Sequence, residues 1–210
     1  MPVPLIKICG ISTAETLEAT IAARAEYVGL MFYAPSPRFV SLETAAALAA
    51  QGGSRIGRVG VFVDPDDALL RDAIAAGRLD AVQLHRVSPA RRAEVRAQTG
   101  LPVWAVREVA GPSDLATPDD SSTFDRLIYD AKTPKSALPG GMGLSFDWAM
   151  LANARHPAAW GLAGGLSAAN AAVAVRITGA PLLDVSSGVE SAPGVKDVDR
   201  IAAFCKAARS

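Results

Sequence analysis

Eight short β-rich runs recur along the chain, each followed by a turn signal and then an alanine-rich amphipathic stretch. They are LIKIC from Leu5, YVGLMF from Tyr27, RVGVFV from Arg58, AVQLH from Ala81, VWAVRE from Val103, RLIYDA from Arg126, AAWGLAG from Ala158 and PLLDVSS from Pro181. Runs that are apolar on both faces suit parallel strands, covered by helices on one side and packed side chains on the other. Eight such units close a barrel, so the expected class is α/β, a single (β/α)8 TIM barrel spanning residues 1–210. The barrel typically needs about 250 residues, so the length of this chain favours brief loops and leaves little room for an added domain. An open doubly wound sheet is the structural alternative, but no G-x-G-x-x-G turn follows the first run.

Between the strands the helix signals are mostly clear. STAETLEATIAARA opens with Ser12 as N-cap and Glu15 three residues on, the arrangement in which cap and carboxylate satisfy each other's free amides. The fifth crossover, AGPSDLATPDDSSTFD, is too rich in Pro, Ser and Asp for a good helix and reads as a short helix or mostly loop.

The 21 basic and 21 acidic residues balance to zero, which excludes the global charge excess of a nucleic-acid binder or an acidic solvating chain. Any charged ligand must be met locally. The two cysteines, Cys9 and Cys205, lack the spacing of a zinc site or a disulfide framework and suit a reducing cytoplasm. MPVPLIKICG has no secretory pattern, and no segment stays apolar for the roughly 18 residues of a membrane span, so a soluble, unexported, cytoplasmic protein is expected.

In a barrel, the residues just past the C-terminal strand ends converge on one face. Here they are Cys9, Ser36–Arg38, His85, Asp130, Ala163–Leu166 and Asp184–Gly188, which bring a thiol, a carboxylate and a guanidinium from separate strands. The last two turns carry Gly164, Gly165, Ser186, Ser187 and Gly188. After strands seven and eight a barrel commonly cradles phosphate with backbone N–H groups. Either turn alone is equally well explained as a tight turn needing positive φ; their joint position favours phosphate.

Arg38 lies in the proline-rich APSPRFVS, where it could grip a carboxylate through two parallel bonds, although a lone loop arginine is more often a solvated surface residue. Cys9 and Asp130 could form a base and acid pair. A free thiol ionises near ~8.5, whereas an aspartate near ~3.9 must be perturbed to act as acid, and the apolar neighbours in LIYDAK would raise it. Against this, unpaired cysteines are often buried and inert, and Asp130 could pair with Lys132. His85 is a pocket candidate, His156 before Pro157 reads as a surface turn, and Cys205 as helix packing.

At these residues the chain resembles the phosphoribosylanthranilate isomerase family of tryptophan biosynthesis, essentially end to end. The resemblance is carried by KICGI at Lys7–Ile11, SPR at Ser36–Arg38, VGVFV at Val59–Val63, VQLH at Val82–His85, FDW at Phe146–Trp148, AGGL at Ala163–Leu166, and DVSSGVE at Asp184–Glu190 with PGVKD up to Asp197. It implies an isomerase that performs, without cofactor or metal, the Amadori rearrangement of N-(5-phosphoribosyl)anthranilate to the carboxyphenylamino-deoxyribulose phosphate. The family's general base falls on Cys9, its general acid on Asp130, its carboxylate-binding arginine on Arg38, and the aspartate beside the substrate amine on Asp184. His85, with Gly141 and Gly143 of the loop after strand six, joins the substrate-binding set, and the Gly and Ser turns take the phosphate. The implied partner is a small molecule bearing a phosphate and a carboxylate, with no nucleic acid or membrane, bound by a monomer or homodimer. Two positions depart from the family: Arg86 replaces its usual glycine after VQLH, and Met142 in GGMG replaces a threonine. The related histidine-pathway aminoaldose isomerase, with an aspartate base and two phosphates, and a non-catalytic phosphate-sugar binding barrel are the competing functions.

Overall fold

The computed structural model describes residues 3–116, 120–133, 141, 143–152 and 154–210, so Met142 lies outside the described residues. All eight expected runs form strands: β1 Leu5–Cys9, β2 Tyr27–Met31, β3 Gly57–Val63, β4 Ala81–His85, β5 Val103–Val109, β6 Arg126–Ala131, β7 Trp160–Leu162 and β8 Leu182–Val185. They pair in parallel, each with its neighbour in sequence, and β8 returns to β1 through Leu5↔Leu182, Ile6↔Leu183, Lys7↔Asp184 and Ile8↔Val185. That closure is incompatible with an open doubly wound sheet.

Helices α1 Ala14–Ala22, α2 Leu42–Gly52, α3 Asp67–Gly77 and α4 Pro89–Thr99 fill the first four crossovers, and α5 Ala171–Thr178 and α6 Val198–Ala208 complete the wall. The cap of α1 is Thr13, one residue later than Ser12. Its extended backbone lets Oγ1 accept from the Thr16 amide, so the third helical residue is Thr16 and Glu15 cannot complete the reciprocal box. Ser41, Asp66 and Ser88 cap α2, α3 and α4 in the same way. The fifth crossover contains only single 3-10 turns, Pro112–Leu115 and Ser121–Thr123, among its described residues. A small antiparallel hairpin, β9 Glu190–Ala192 with β10 Val195–Lys196, stands between β8 and α6; the sequence periodicity gave no sign of it.

Alternation along each strand sorts side chains between two cores. Ile6 and Ile8 face the helices with Leu17, Leu48, Leu70, Ile201 and Phe204, whereas Leu5, Lys7 and Cys9 face the barrel axis. The interior floor is apolar, built from Val59, Ala81, Trp104, Ile128 and Leu182, with Tyr27 edge-on to Trp104 at 5.1 Å. Above it the interior turns polar. Lys7 is completely buried and its Nζ donates to Asp184 Oδ2 at 2.7 Å across the β1–β8 seam. His156 is half-buried: it stacks on Trp160 at 3.9 Å and bonds to Leu151 O at 2.8 Å, which corrects its reading as a surface turn.

Candidate active site

One pocket opens at the C-terminal end of the barrel, and its wall includes Cys9, Arg38, His85, Asp130, Gly141 and Gly143. Gly164, Gly165, Asp184, Ser186 and Ser187 complete the set that the sequence singled out, with Gly188 alone standing behind the wall. Closure brings Cys9 and Asp130, 121 positions apart in sequence, to one cavity. Between them and the apolar floor lies the Lys7–Asp184 pair.

Cys9 ends β1 and is 8% exposed. Burial pushes its thiol above the ordinary value, the Lys7 ammonium pulls the other way, and Asp184 adds to the rise. Gly29 on β2 makes room for the sulfur, since a Cβ there would lie 2.8 Å from Sγ and 3.2 Å from Lys7 Cε. Asp130 sits on β6, 9% exposed, with Oδ1 accepting from the Ala131 amide at 2.8 Å. Burial, reinforced by the nearby Asp184 charge, pushes its carboxyl up to about 7. Lys132 is turned to Asp114 at 3.0 Å and takes no part in this. Asp184 is itself raised by burial and held back by Lys7; its Oδ2 is bonded, while Oδ1 is buried without a partner among the described residues and belongs to the pocket-lining carboxylate.

Arg38 is not a solvated loop residue. It is 6% exposed, and its guanidinium is forked onto Glu190, Nε to Oε1 at 2.7 Å and Nη2 to Oε2 at 2.8 Å. Nη2 also donates to Gly141 O at 2.9 Å. Two glycines make this possible: a Cβ on Gly10 would lie 2.7 Å from Arg38 Cδ, and one on Gly141 2.7 Å from Nη1. The local prolines gave the sequence no means of revealing the buried carboxylate that decides the matter.

His85 ends β4 with Nε2 3.1 Å from Gln83 Nε2. Burial, with the Lys7 and Arg86 charges, lowers its pKa to about 3, so the imidazole is neutral and offers hydrogen bonds without charge. Arg86 follows in the left-handed region at φ 57°, a conformation that glycine adopts without strain. The two Gly and Ser turns abut. Gly164 and Gly165 have φ of 86° and 69°, and a Cβ on Gly188 would stand 1.8 Å from Leu166 O, so only a bare α-carbon lets the turns touch. They are therefore tight turns, and Gly164, Gly165, Ser186 and Ser187 of the two line the pocket side by side.

Four groups in or beneath this site carried no role in the sequence reading: Lys7, Gln83, Glu190 and Lys196. Strand alternation places Lys7 on the face of Cys9, two residues on, so its position was legible even though its ion pair was not. Among the described residues, no group of three His, Cys, Asp or Glu side chains could hold a metal ion.

Comparison with known proteins agrees along the whole chain. A family model described as N-(5'-phosphoribosyl)anthranilate (PRA) isomerase matches residues 6–207. The N-(5'-phosphoribosyl)anthranilate isomerase of Paramagnetospirillum magneticum is 50% identical over 212 residues, covering 100% of this chain and 98% of that protein. The crystal structure of phosphoribosyl anthranilate isomerase from Thermotoga maritima superimposes with a TM-score of 0.85 at 31% identity over 98% of both chains. A further solved structure of phosphoribosyl anthranilate isomerase, in complex with reduced 1-(o-carboxyphenylamino)-1-deoxyribulose 5-phosphate, gives a TM-score of 0.83 at 28% identity, again covering 98% of each chain.

Proposed function

From the premise that this chain belongs to the N-(5'-phosphoribosyl)anthranilate isomerase family, we propose how its own residues carry out that reaction. The chain is an isomerase of tryptophan biosynthesis that converts N-(5-phospho-β-D-ribosyl)anthranilate to 1-(2-carboxyphenylamino)-1-deoxy-D-ribulose 5-phosphate. The observation that carries the assignment of roles is that a thiol and a carboxyl raised to about 7 line the same barrel mouth from β1 and β6.

Asp130, as the acid, gives its proton to the ribose ring oxygen. The bond from that oxygen to C1' breaks, and the anilino nitrogen's lone pair forms the C1'=N iminium. The iminium acidifies the C2' proton, which Cys9 removes as thiolate, and the C–H electron pair becomes the C1'=C2' bond of an enolamine. Loss of the enol hydroxyl proton and gain of one at C1' complete the ketone, so the atoms balance without any outside oxidant or reductant. Because the iminium is the electron sink, a modest base suffices. Arg38 holds the anthranilate carboxylate, the partnerless Asp184 Oδ1 accepts from the amine side, and neutral His85 bonds a sugar hydroxyl. The phosphate lies on the amides around Gly164, Gly165, Ser186, Ser187 and Gly188, with Gly141 and Gly143 closing over the carboxylate end.

Every assigned residue comes from one chain, so a monomer suffices for the chemistry. No helix among the described residues is long and apolar enough to cross a membrane. Two free cysteines support a reducing, cytoplasmic setting.

The test is consumption of the fluorescent anthranilate substrate by the purified protein. Cys9→Ser and Asp130→Asn should each lower turnover by roughly 100-fold or more, in line with general acid–base contributions, with substrate binding largely retained. Near-normal turnover in either variant would remove that residue from its role. Supplying the histidine-pathway aminoaldose in parallel separates the two isomerase functions.

A further inference from the structure

Glu190 has no part in the chemistry above, yet its side chain is heavily bonded beside the pocket. It opens β9 just past the Ser186–Gly188 turn and is 6% exposed. Besides the Arg38 fork, its Oε1 takes Lys196 Nζ at 2.5 Å and its Oε2 accepts from the Gly194 amide at 3.2 Å. Lys196 reaches on to Ser186, bonding O at 3.1 Å and Oγ at 3.2 Å, and Ser186 Oγ donates to Cys9 O at 3.1 Å. Burial favours the neutral acid here, but the two cations outweigh it and hold the carboxyl at about 2, so it is ionised throughout the physiological range.

A guanidinium has five N–H donors in a fixed plane. In Arg38, Nε and one Nη2 hydrogen are committed to Glu190, and Nη2 also serves Gly141 O. The Nη1 edge is left beside Gly141, on the pocket wall. We infer that Glu190 is a positioning residue for the reaction: its carboxylate, shared by Arg38 and Lys196, fixes the guanidinium so that the Nη1 edge meets the substrate's aromatic carboxylate. Without it a long side chain must be ordered by the ligand at each binding event, and two neighbouring cations lose their common counter-charge. The inference deepens the proposed role of Arg38 and rests on it.

The experiment compares two stable competitive inhibitors, the reduced product and the same compound built on aniline, which lacks the carboxylate. The native protein should prefer the carboxylate compound, and Arg38→Met should abolish that preference. Glu190→Gln should also abolish it, weakening the carboxylate compound by about 10- to 100-fold while the aniline compound changes little, and KM for the natural substrate should rise more than kcat falls. Because Glu190→Gln leaves Lys196 without a counter-charge, the Glu190→Gln/Lys196→Met double variant serves as a second form and should give the same collapse. If Arg38→Met loses the preference and both Glu190 variants keep it, Glu190 does not position Arg38. Equal weakening of both inhibitors would mark Glu190 as merely structural and overturn the inference too. A preserved preference in Arg38→Met would bring down the role of Arg38 and, with it, this one.

Discussion

In the proposed roles Cys9 must be deprotonated while Asp130 is protonated, although burial raises both. The productive form is therefore a minority state whose population sets the pH profile. Below about pH 7 Asp130 stays protonated while the thiolate fraction grows about tenfold per unit, so kcat/KM should climb. Above it, gain of thiolate is offset by loss of the acid and the rate levels, until the raised thiol value is passed and it declines. A rate that falls as pH rises through 7 would contradict these assignments. The same burial has a cost in stability. A carboxyl raised from 3.8 to about 7 contributes stability that is present below its unfolded value and lost as pH rises through its folded one. Asp130→Asn should thus unfold at higher temperature than the native protein, with an advantage that grows between about pH 4 and 7 and then stays flat, reaching at most about 4 kcal/mol. Thermal melts at several pH values would check it. At this scale the meeting of Cys9 and Asp130 in one pocket was legible, because strand-end position carries it. The surroundings of Arg38 were not, because Glu190 lies 152 positions away.

Elements were legible where periodicity is strong and less so where a turn decides. All eight strands appear, yet the α1 cap moved from Ser12 to Thr13, since two adjacent hydroxyl residues offer the same chemistry and only the exit path of β1 chooses between them. The composition of the fifth crossover announced the loss of its helix; after β6, Tyr129 stands edge-on to His156 of the next crossover and to Trp160 of β7. The β9–β10 hairpin is too short for any period to register. Arg86 marks a local conflict: the turn after β4 asks for positive φ and the chain supplies a branched cation, partly offset by Glu108 at 4.0 Å. Relief of an αL penalty of about 1–2 kcal/mol, less the entropy that glycine loses on folding, leaves a net gain of about 0.5–1 kcal/mol. Arg86→Gly should therefore raise the melting temperature by roughly 1–4 °C, and a drop would show that the Arg86 contacts outweigh the strain.

Over the whole molecule, the fold was the most legible property, because eight repeats of one pattern admit few topologies. What the repeats cannot convey is the division of labour inside the barrel, an apolar floor below and ion-paired groups above, which depends on register around the ring. Stability should reside mainly in the outer core between strands and helices. Phe204 on α6 is fully buried in it, beside Ile201 and Cys205. Phe204→Ala should cost about 3–5 kcal/mol and lower the melting temperature by roughly 6–20 °C, while kcat of the protein still folded is unchanged. Measuring turnover per folded molecule below the transition would check this, and a selective loss of kcat would show that the helical shell reaches the chemistry.

Lys7 and Asp184 meet only where the first strand finds the last. Ser186 follows Cys9 by 177 positions, so the surroundings of the thiol are assembled from the two ends of the barrel's strand sequence. Until that seam closes, Cys9 lacks both the buried ammonium–carboxylate pair beside it and the Ser186 hydroxyl on its carbonyl.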